Sequence, residues 1–342
     1  MTPDSGDGSG MPHPTYSFVI PVLDEIDSLP RLRQRLQAVM DRMDGPCEVV
    51  LVDDGSTDGS WDALVAMHGE DPRFKVLRLS RNFGHQTALT AGLDHATGDA
   101  AIIIDADLQD PPEVALEMSE KWRQGYDVVY AVRDARDGES WFKRFTAHRF
   151  YRLLSRLSEI DIPRDAGDFR LVDRRAIDAV TAMREHRRYL RGMFAWVGYE
   201  QAAVHYHRDA RQAGTTKFSL RKMIAFATDG VLSFSAVPLR LILNFGFLIA
   251  MSAFVAGLSS IVLKAAGVYT VPGWASIVVA ISLLGGLQLV VLGVIGEYVA
   301  RIHEEVKQRP LYLVRDHAGV DLDRQPDRPR RAGLPDSPAE SP

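Results

Sequence analysis

The sequence predicts an α/β protein with a mostly parallel sheet, followed by two transmembrane helices. Short apolar runs alternate with amphipathic stretches in the first part of the chain, which favours parallel strands joined by helices. Two uncharged stretches follow, Leu241 to Leu263 and Val268 to Gly296. At about 1.5 Å per residue, each can cross a hydrocarbon core of about 30 Å. Helices buried in a soluble core are the alternative.

The predicted strands are apolar and end in polar loops. Amphipathic stretches such as Leu29 to Met43 and Gln86 to Ala96 predict the helices between them. Ligands of parallel sheets bind at the carboxyl ends of the strands, so we expect the polar loops to meet in one cleft. The predicted strands are Ser17 to Pro21, Glu48 to Asp53, Lys75 to Leu79, Ala100 to Asp105 and Asp127 to Val132.

The loop with the most specific chemistry begins with Asp105, Ala106 and Asp107, directly after a predicted strand. Two carboxylates separated by one residue can bind a divalent cation, which can in turn hold a diphosphate. The chain has no Walker loop and no G-x-G-x-x-G, which argues against an ATPase or a dehydrogenase. We therefore expect a Mg²⁺ or Mn²⁺ site for a nucleotide-activated substrate. A plain turn is the alternative.

Charge placement predicts the membrane topology. Lys264 is the only charged residue between the two apolar stretches, whereas Arg221, Lys222 and Arg240 precede the first. The positive-inside rule then places both termini and the soluble part on the cytoplasmic side of the inner membrane. The first 14 residues lack the apolar core of a cleavable signal. A single cysteine, Cys47, excludes an intrachain disulfide.

Two further segments predict helices at the membrane surface. The stretch from Trp141 to Leu157 is basic and amphipathic, as expected of a helix that lies on a bilayer and collects a lipid phosphate. A solvated basic face is the alternative. The stretch from Ser219 to Phe234 carries apolar residues at helical spacing and leads into the first predicted span.

Ordered motifs in the chain resemble one known family. They are Val19 to Glu25, Val52 to Asp58, Leu79 to Gln86 and Asp105 to Glu113. Together they are similar to the family 2 glycosyltransferases, and among these to the polyprenyl-phosphate sugar transferases, such as dolichyl-phosphate mannose synthases and bactoprenol glucosyltransferases. The resemblance covers Tyr16 to Leu313.

The resemblance implies a GT-A type nucleotide-binding fold and inverting sugar transfer from a nucleoside-diphosphate sugar to polyprenyl (undecaprenyl) phosphate, for cell envelope glycosylation. UDP-glucose is the expected donor and GDP-mannose the alternative. An inactive, membrane-anchored scaffold that binds nucleotide sugars is a rival of another class. We expect no nucleic-acid partner, and the family resemblance allows a homo-oligomer.

The resemblance also implies donor and metal contacts. Gln109 joins Asp105 and Asp107 as a metal ligand. The residues implied to contact the donor nucleotide are Pro21, Glu25, Asp53, Asp54, Asn82, Asp105 and Ala106.

The remaining implied roles concern the acceptor and the transfer step. Asp168 is the candidate catalytic carboxylate, either as a base or as a residue that orients the sugar or acceptor, and Arg211 is a second catalytic candidate that clamps the diphosphate together with Lys217. A plain turn is the alternative reading of the loop that carries Arg211 and Lys217. The implied contacts of the acceptor phosphate are Arg133, Lys143 and Arg144.

These inferences divide the chain into a disordered tail, a catalytic domain, a membrane part and a second tail. The predicted parts are a tail over 1–14, the GT-A domain over 15–218, an interfacial amphipathic helix over 219–237, a two-helix transmembrane hairpin over 238–298, a cytoplasmic segment over 299–314 and a disordered tail over 315–342.

Overall fold

The computed structural model describes residues 13, 15–133, 166–206 and 273–322, and part of 244–266. The chain forms two compact units. The first comprises Met1–Trp141, Ile162–Lys217 and Pro310–Pro342, and the second comprises Phe142–Asp161 and Phe218–Arg309.

Strands and helices alternate in the first unit, as predicted. The strands are β1 (Tyr16–Val22), β2 (Cys47–Asp53), β3 (Phe74–Leu79), β4 (Ala100–Ile103), β5 (Val128–Arg133), β6 (Ala166–Asp173), β7 (Gln201–Tyr206) and β8 (Val314–Ala318). The helices are α1 (Leu29–Met40), α2 (Ser60–Glu70), α3 (His85–His95), α4 (Val114–Arg123), α5 (Arg174–Ala182) and α6 (Leu190–Trp196).

The described strands form one sheet in the order β7-β5-β6-β4-β1-β2-β3-β8. Its centre is parallel, as predicted, because β1 pairs in parallel with β2 and β4, and β2 pairs in parallel with β3. The antiparallel strand β6 lies between β4 and β5. The chain order reverses between β1 and β4, and such a switch point opens a crevice at the carboxyl ends of the strands.

Burial on both faces explains why the central strands are continuous apolar runs. Every residue of β1 and β2 is buried. Helix α3 packs so closely on this sheet that a Cβ on Gly92 would lie 2.4 Å from a methyl carbon of Val19. The absence of a side chain at Gly92 therefore lets α3, which begins at His85, lie directly on β1.

The second unit contains helix α7 (Trp274–Val306). In the described part of the chain, α7 is the one helix long and apolar enough to cross a membrane, over Leu283–Val306. It extends past residue 298, where the predicted hairpin ends, and an ion pair between Glu297 and Arg301, one helical turn apart at 3.2 Å, spans this boundary. Described residues in 244–266 are largely helical, and the other residues of the first predicted span lie outside the described part of the chain.

The prediction of a disordered tail from residue 315 onward is wrong at its start. Strand β8 pairs antiparallel with β3, and the Leu313 carbonyl accepts a hydrogen bond of 2.8 Å from the Ser80 amide. Tyr312 is buried, and its hydroxyl donates to Asp94 at 2.8 Å. A segment rich in charge is thus ordered by the sheet edge that it covers. Residues 323–342 lie outside the described part.

Candidate active site

The loops after β2 and β3 are tied together by the Asp54 carboxylate. Its two oxygens accept hydrogen bonds from the amides of Phe83 at 2.7 Å and Gly84 at 2.9 Å. Gly55 has a φ of 82°, and a Cβ there would lie 2.8 Å from the Asn82 amide nitrogen. Only glycine fits this approach with that backbone conformation. Asn82, a predicted donor contact, is therefore held at the crevice edge with its side chain exposed.

Asp53 is also enclosed by protein. Its side chain is fully buried, accepts from the Ser56 amide at 2.9 Å and lies 3.2 Å from the Arg78 guanidinium, which covers the Trp61 ring. Both aspartates thus shape the loops that form the crevice. Direct contact between either carboxylate and a donor nucleotide stays a prediction.

The loop after β1 is joined to the same group. Asp24 has a φ of 53°, a left-handed conformation that Asp and Asn tolerate better than most residues, and its carboxylate accepts from the Thr57 amide at 2.8 Å. The Glu25 amide donates to the Ser60 hydroxyl at 3.1 Å. Burial raises the pKa of Glu25, although a hydrogen bond from Ser28 opposes this rise. Pro21 lies buried within β1.

The antiparallel strand β6 brings the two central carboxylates together. Ile103 of β4 pairs with Arg170 of β6, so the same register two residues further on sets Asp105 opposite Asp168. His85, the first residue of α3, lies between them. Its Nε2 is 3.6 Å from an Asp105 oxygen and 3.5 Å from an Asp168 oxygen.

Asp168 is held by cationic partners. Arg191 of α6 binds both of its oxygens, with Nε at 2.7 Å from one and Nη2 at 3.1 Å from the other. Burial alone would raise the pKa of Asp168, but His85 and Arg191 lower it by more, and the net shift is far below the usual range. Asp168 is therefore an ionised carboxylate with little tendency to accept a proton.

Asp105 has the opposite character. Burial and the carboxylates of Asp168 and Asp107 raise its pKa to about 6, against the opposing effect of His85. The side chain is nevertheless 39% exposed, so a ligand in the crevice can reach it. An accessible carboxylate in a negative environment is a natural partner for a cation.

The rest of the Asp105 loop is held by hydrogen bonds and by burial. Leu108 has a φ of 55°, the exposed Asp107 accepts from the Gln109 amide at 3.0 Å, and Ala106 is buried. Asp110, interpreted from the sequence as part of a turn, is buried and accepts a hydrogen bond from the Tyr206 hydroxyl.

The described residues contain no group of three or more His, Cys, Asp or Glu side chains arranged to hold a metal ion. Asp105 and Asp107 alone would leave a divalent cation short of ligands, and diphosphate oxygens could complete the set. The carboxylate oxygens present therefore fit a cation that binds together with a diphosphate. Assignment of Asp105, Asp107 and Gln109 as metal ligands stays a prediction.

Comparison with known proteins decides the family. The model of "Glycosyl transferase family 2" matches residues 17–181. The chain is 48% identical over 309 residues to the uncharacterised glycosyltransferase YkcC of Bacillus subtilis, covering 90% of this chain and 96% of the relative. The chain belongs to glycosyl transferase family 2. This family membership makes it a glycosyltransferase, as predicted.

Relatives with more specific names also match this glycosyltransferase over most of its length. The prophage bactoprenol glucosyl transferase homolog of Escherichia coli is 39% identical over 299 residues, which is 87% of this chain and 98% of the relative. The bactoprenol glucosyl transferase of Shigella phage SfII is 38% identical over 304 residues, which is 89% of this chain and 98% of the relative.

Some predicted site residues of the glycosyltransferase cannot be compared with the structure. Lys143, Arg144, Arg211 and Lys217 lie outside the described residues, as do the predicted helices over 141–157 and 219–234. Arg133 is the last residue of β5, at the edge of the sheet where the carboxyl ends of the central strands lie.

Sequence reasoning missed three residues that organise the site. His85 was part of a quoted motif without a role, and Arg170 and Arg191 had none. Arg170 is buried, donates to the carbonyls of Gly167 at 2.9 Å and Asp168 at 3.3 Å, and lies over the Phe194 ring. Burial lowers its pKa to about 10. The sequence signals were the motif that contains His85 and the density of arginine near the start of α6, and neither names a partner.

Proposed function

We propose that this glycosyltransferase transfers glucose from UDP-glucose to a polyprenyl phosphate, with inversion at the anomeric carbon. The observation that carries the proposal is its similarity, over nearly the full length of the relatives, to proteins named bactoprenol glucosyl transferase. The match extends beyond the catalytic unit into the segment that contains α7, as expected if both proteins work at a membrane on a lipid acceptor.

The state of Asp168 fits a phosphate acceptor. A phosphate monoester has a second pKa near 6, so its oxygen is largely deprotonated at cytoplasmic pH. That oxygen can attack the anomeric carbon with its lone pair while the carbon–oxygen bond to the diphosphate breaks and the nucleoside diphosphate leaves with the bonding pair. No proton has to move, so a carboxylate that Arg191 and His85 keep ionised need not act as a base.

Negative charge develops on the departing diphosphate, and its stabilisation is commonly the largest catalytic contribution. A divalent cation held by Asp105, Asp107 and Gln109 would supply that neutralisation. Arg211 and Lys217 are proposed to add positive charge by clamping the diphosphate, and Arg133, Lys143 and Arg144 to hold the acceptor phosphate.

The direct test supplies membranes carrying the full chain with labelled UDP-glucose or GDP-mannose, Mg²⁺ and either undecaprenyl phosphate or undecaprenol. We expect label in the lipid fraction with UDP-glucose and the phosphate only. Transfer from GDP-mannose alone would replace the proposed donor. Transfer to the alcohol would contradict the argument from Asp168, and label in neither lipid would favour the scaffold.

We further propose two spans, with both termini and the catalytic unit cytoplasmic. Helix α7 supplies one candidate span, and the uncharged stretch Leu241 to Leu263 would supply the other. A cysteine placed at Lys264 should react with an impermeant maleimide added outside intact cells, whereas a cysteine at Asp178 of α5 should not. Labelling of both positions, or of neither until the membrane is broken, would contradict this topology.

A further inference from the structure

Both oxygens of the Asp168 carboxylate are occupied from different parts of the chain. Arg191 contacts one at 2.7 Å and the other at 3.1 Å, and His85 approaches the second at 3.5 Å. A guanidinium that binds two oxygens fixes the plane of a carboxylate, which a single point charge does not. Only 14% of the Asp168 side chain is exposed, so its remaining freedom is small.

The helix that carries Arg191 is itself attached to the site. The Gln86 side chain, next to His85, accepts a hydrogen bond of 2.9 Å from the Leu190 amide at the start of α6. Two consecutive residues at the start of α3 thus hold the two members of one ion pair. His85 reaches the carboxylate, and Gln86 reaches the backbone beside the guanidinium.

The other end of α6 is fixed against β6. Phe194, one helical turn after Arg191, packs on the buried Arg170 guanidinium at 5.1 Å, and its carbonyl accepts from the Gln201 side chain at 3.0 Å. Arg170 in turn binds the Asp168 carbonyl. The backbone of Asp168 is therefore linked to α6 through Arg170, and its side chain is linked to α6 through Arg191.

We propose that Arg191 is a positioning residue for sugar transfer, which holds the Asp168 carboxylate in its working orientation and is itself set by Gln86. This inference rests on the proposed function. It concerns Arg191 alone, because the nearby Arg184 pairs with Asp94 away from the site. Arg191 acts through Asp168, so its loss should slow the transfer step while leaving substrate affinity largely intact.

The test measures steady-state transfer from UDP-glucose to undecaprenyl phosphate by the full chain in membranes. Arg191→Ala should lower kcat about 10- to 100-fold, the effect of misplacing a reactive group by a fraction of an ångström to an ångström, with KM for both substrates within about threefold of the parent. Arg191→Lys should recover only part of the loss, because lysine restores the charge without the two-point geometry. Gln86→Ala should give a smaller loss of the same kind.

A double-mutant cycle separates positioning from structure. If Arg191 acts through Asp168, Arg191→Ala combined with Asp168→Asn should be no slower than Asp168→Asn alone. The matched control is Arg175→Ala, which removes an arginine paired with Asp127 and with Asp173 at the other end of β6 and should leave kcat within about twofold.

The outcomes distinguish this inference from the proposed function. Additive losses in the cycle, a parent-like kcat for Arg191→Ala, or full recovery with Arg191→Lys would overturn the role of Arg191 while leaving transfer by the parent chain intact. A parent chain that transfers no sugar from any donor contradicts the proposed function, and the inference falls with it.

Discussion

Replacement of Asp107 by alanine should abolish sugar transfer, with a loss of about 100- to 1000-fold in kcat, because the diphosphate would lose charge stabilisation at the moment it departs. Asp107 is exposed, and the one contact described for its carboxylate is the Gln109 amide. Its removal should therefore change the stability of the protein little. Removal of divalent cations by EDTA should reproduce the loss in the parent chain, and added Mg²⁺ or Mn²⁺ should reverse it.

The measurement compares Asp107→Ala with Asp178→Ala, a change in α5 that removes an exposed carboxylate paired with Arg174 outside the site. We expect full activity from the second variant. Each variant is titrated with Mn²⁺, and the concentration for half-maximal transfer is recorded. Parent-like activity of Asp107→Ala would exclude Asp107 from the mechanism. Transfer by the parent in EDTA would exclude the cation.

The parallel half of the fold could be predicted because burial on both faces leaves a direct trace in the sequence. The predicted strands Glu48 to Asp53 and Lys75 to Leu79 each begin one residue after the observed strand begins and end at the same residue. Strands β7 and β8 leave a weaker trace. The residues of β8, from Val314 to Ala318, are mostly polar, and pairing with β3 orders them, which no local pattern reveals.

The two carboxylates that the structure brings together could be named from the sequence, but their contacts could not be predicted from it. Asp105 and Asp168 were identified singly, from a motif and from a resemblance. Their proximity depends on the antiparallel register of β6 against β4, which is a property of distant chain segments. The same holds for Arg191, whose partner is 23 positions away in sequence. Long-range pairing, rather than residue type, decided which charges met.

The loop residues Asp53 and Asp54 illustrate a second limit. A motif shows that a carboxylate is needed, but it does not show whether the carboxylate faces the ligand or the protein. Here Asp54 binds the amides of Phe83 and Gly84, and Asp53 pairs with Arg78. Such residues can shape a nucleotide site through the loops that they hold, and this role requires the same amino acid as direct contact does.

The largest effect on stability is expected for Glu48→Gln. Glu48 lies near the start of the central strand β2, at the opposite end of this strand from the candidate site. The Glu48 side chain is 4% exposed, lies 2.6 Å from the Lys75 ammonium and accepts hydrogen bonds from the Thr97 amide at 2.6 Å and the Ser17 hydroxyl. Removal of one charge leaves Lys75 partly buried without its counter-ion. Loss of one member of a buried pair costs about 3 to 5 kcal/mol, and we expect about 3 kcal/mol because Lys75 retains some solvent.

The pH dependence of this loss follows from the sign of the pKa shift. Burial alone would raise the pKa of Glu48, but Lys75 and the hydrogen bonds lower it by more, so the folded protein holds the proton less tightly than the unfolded chain. The contribution is therefore present above the ordinary carboxyl pKa of about 4.3 and is lost as the pH falls through the lower, folded-state value. The stability difference between parent and Glu48→Gln should stay constant from about pH 8 to pH 6 and shrink below about pH 4.3.

Thermal unfolding of the full chains in detergent, followed across this pH range, checks both the size and the direction. The matched control is Glu70→Gln, which removes a carboxylate whose side chain is 61% exposed in its pair with Arg33 and should cost less than about 1 kcal/mol. Equal losses for the two variants would mean that the buried pair stabilises no more than a surface pair. A difference that grows on acidification would mean that Glu48 is protonated in the folded protein, and its partner Lys75 would then need another counter-ion.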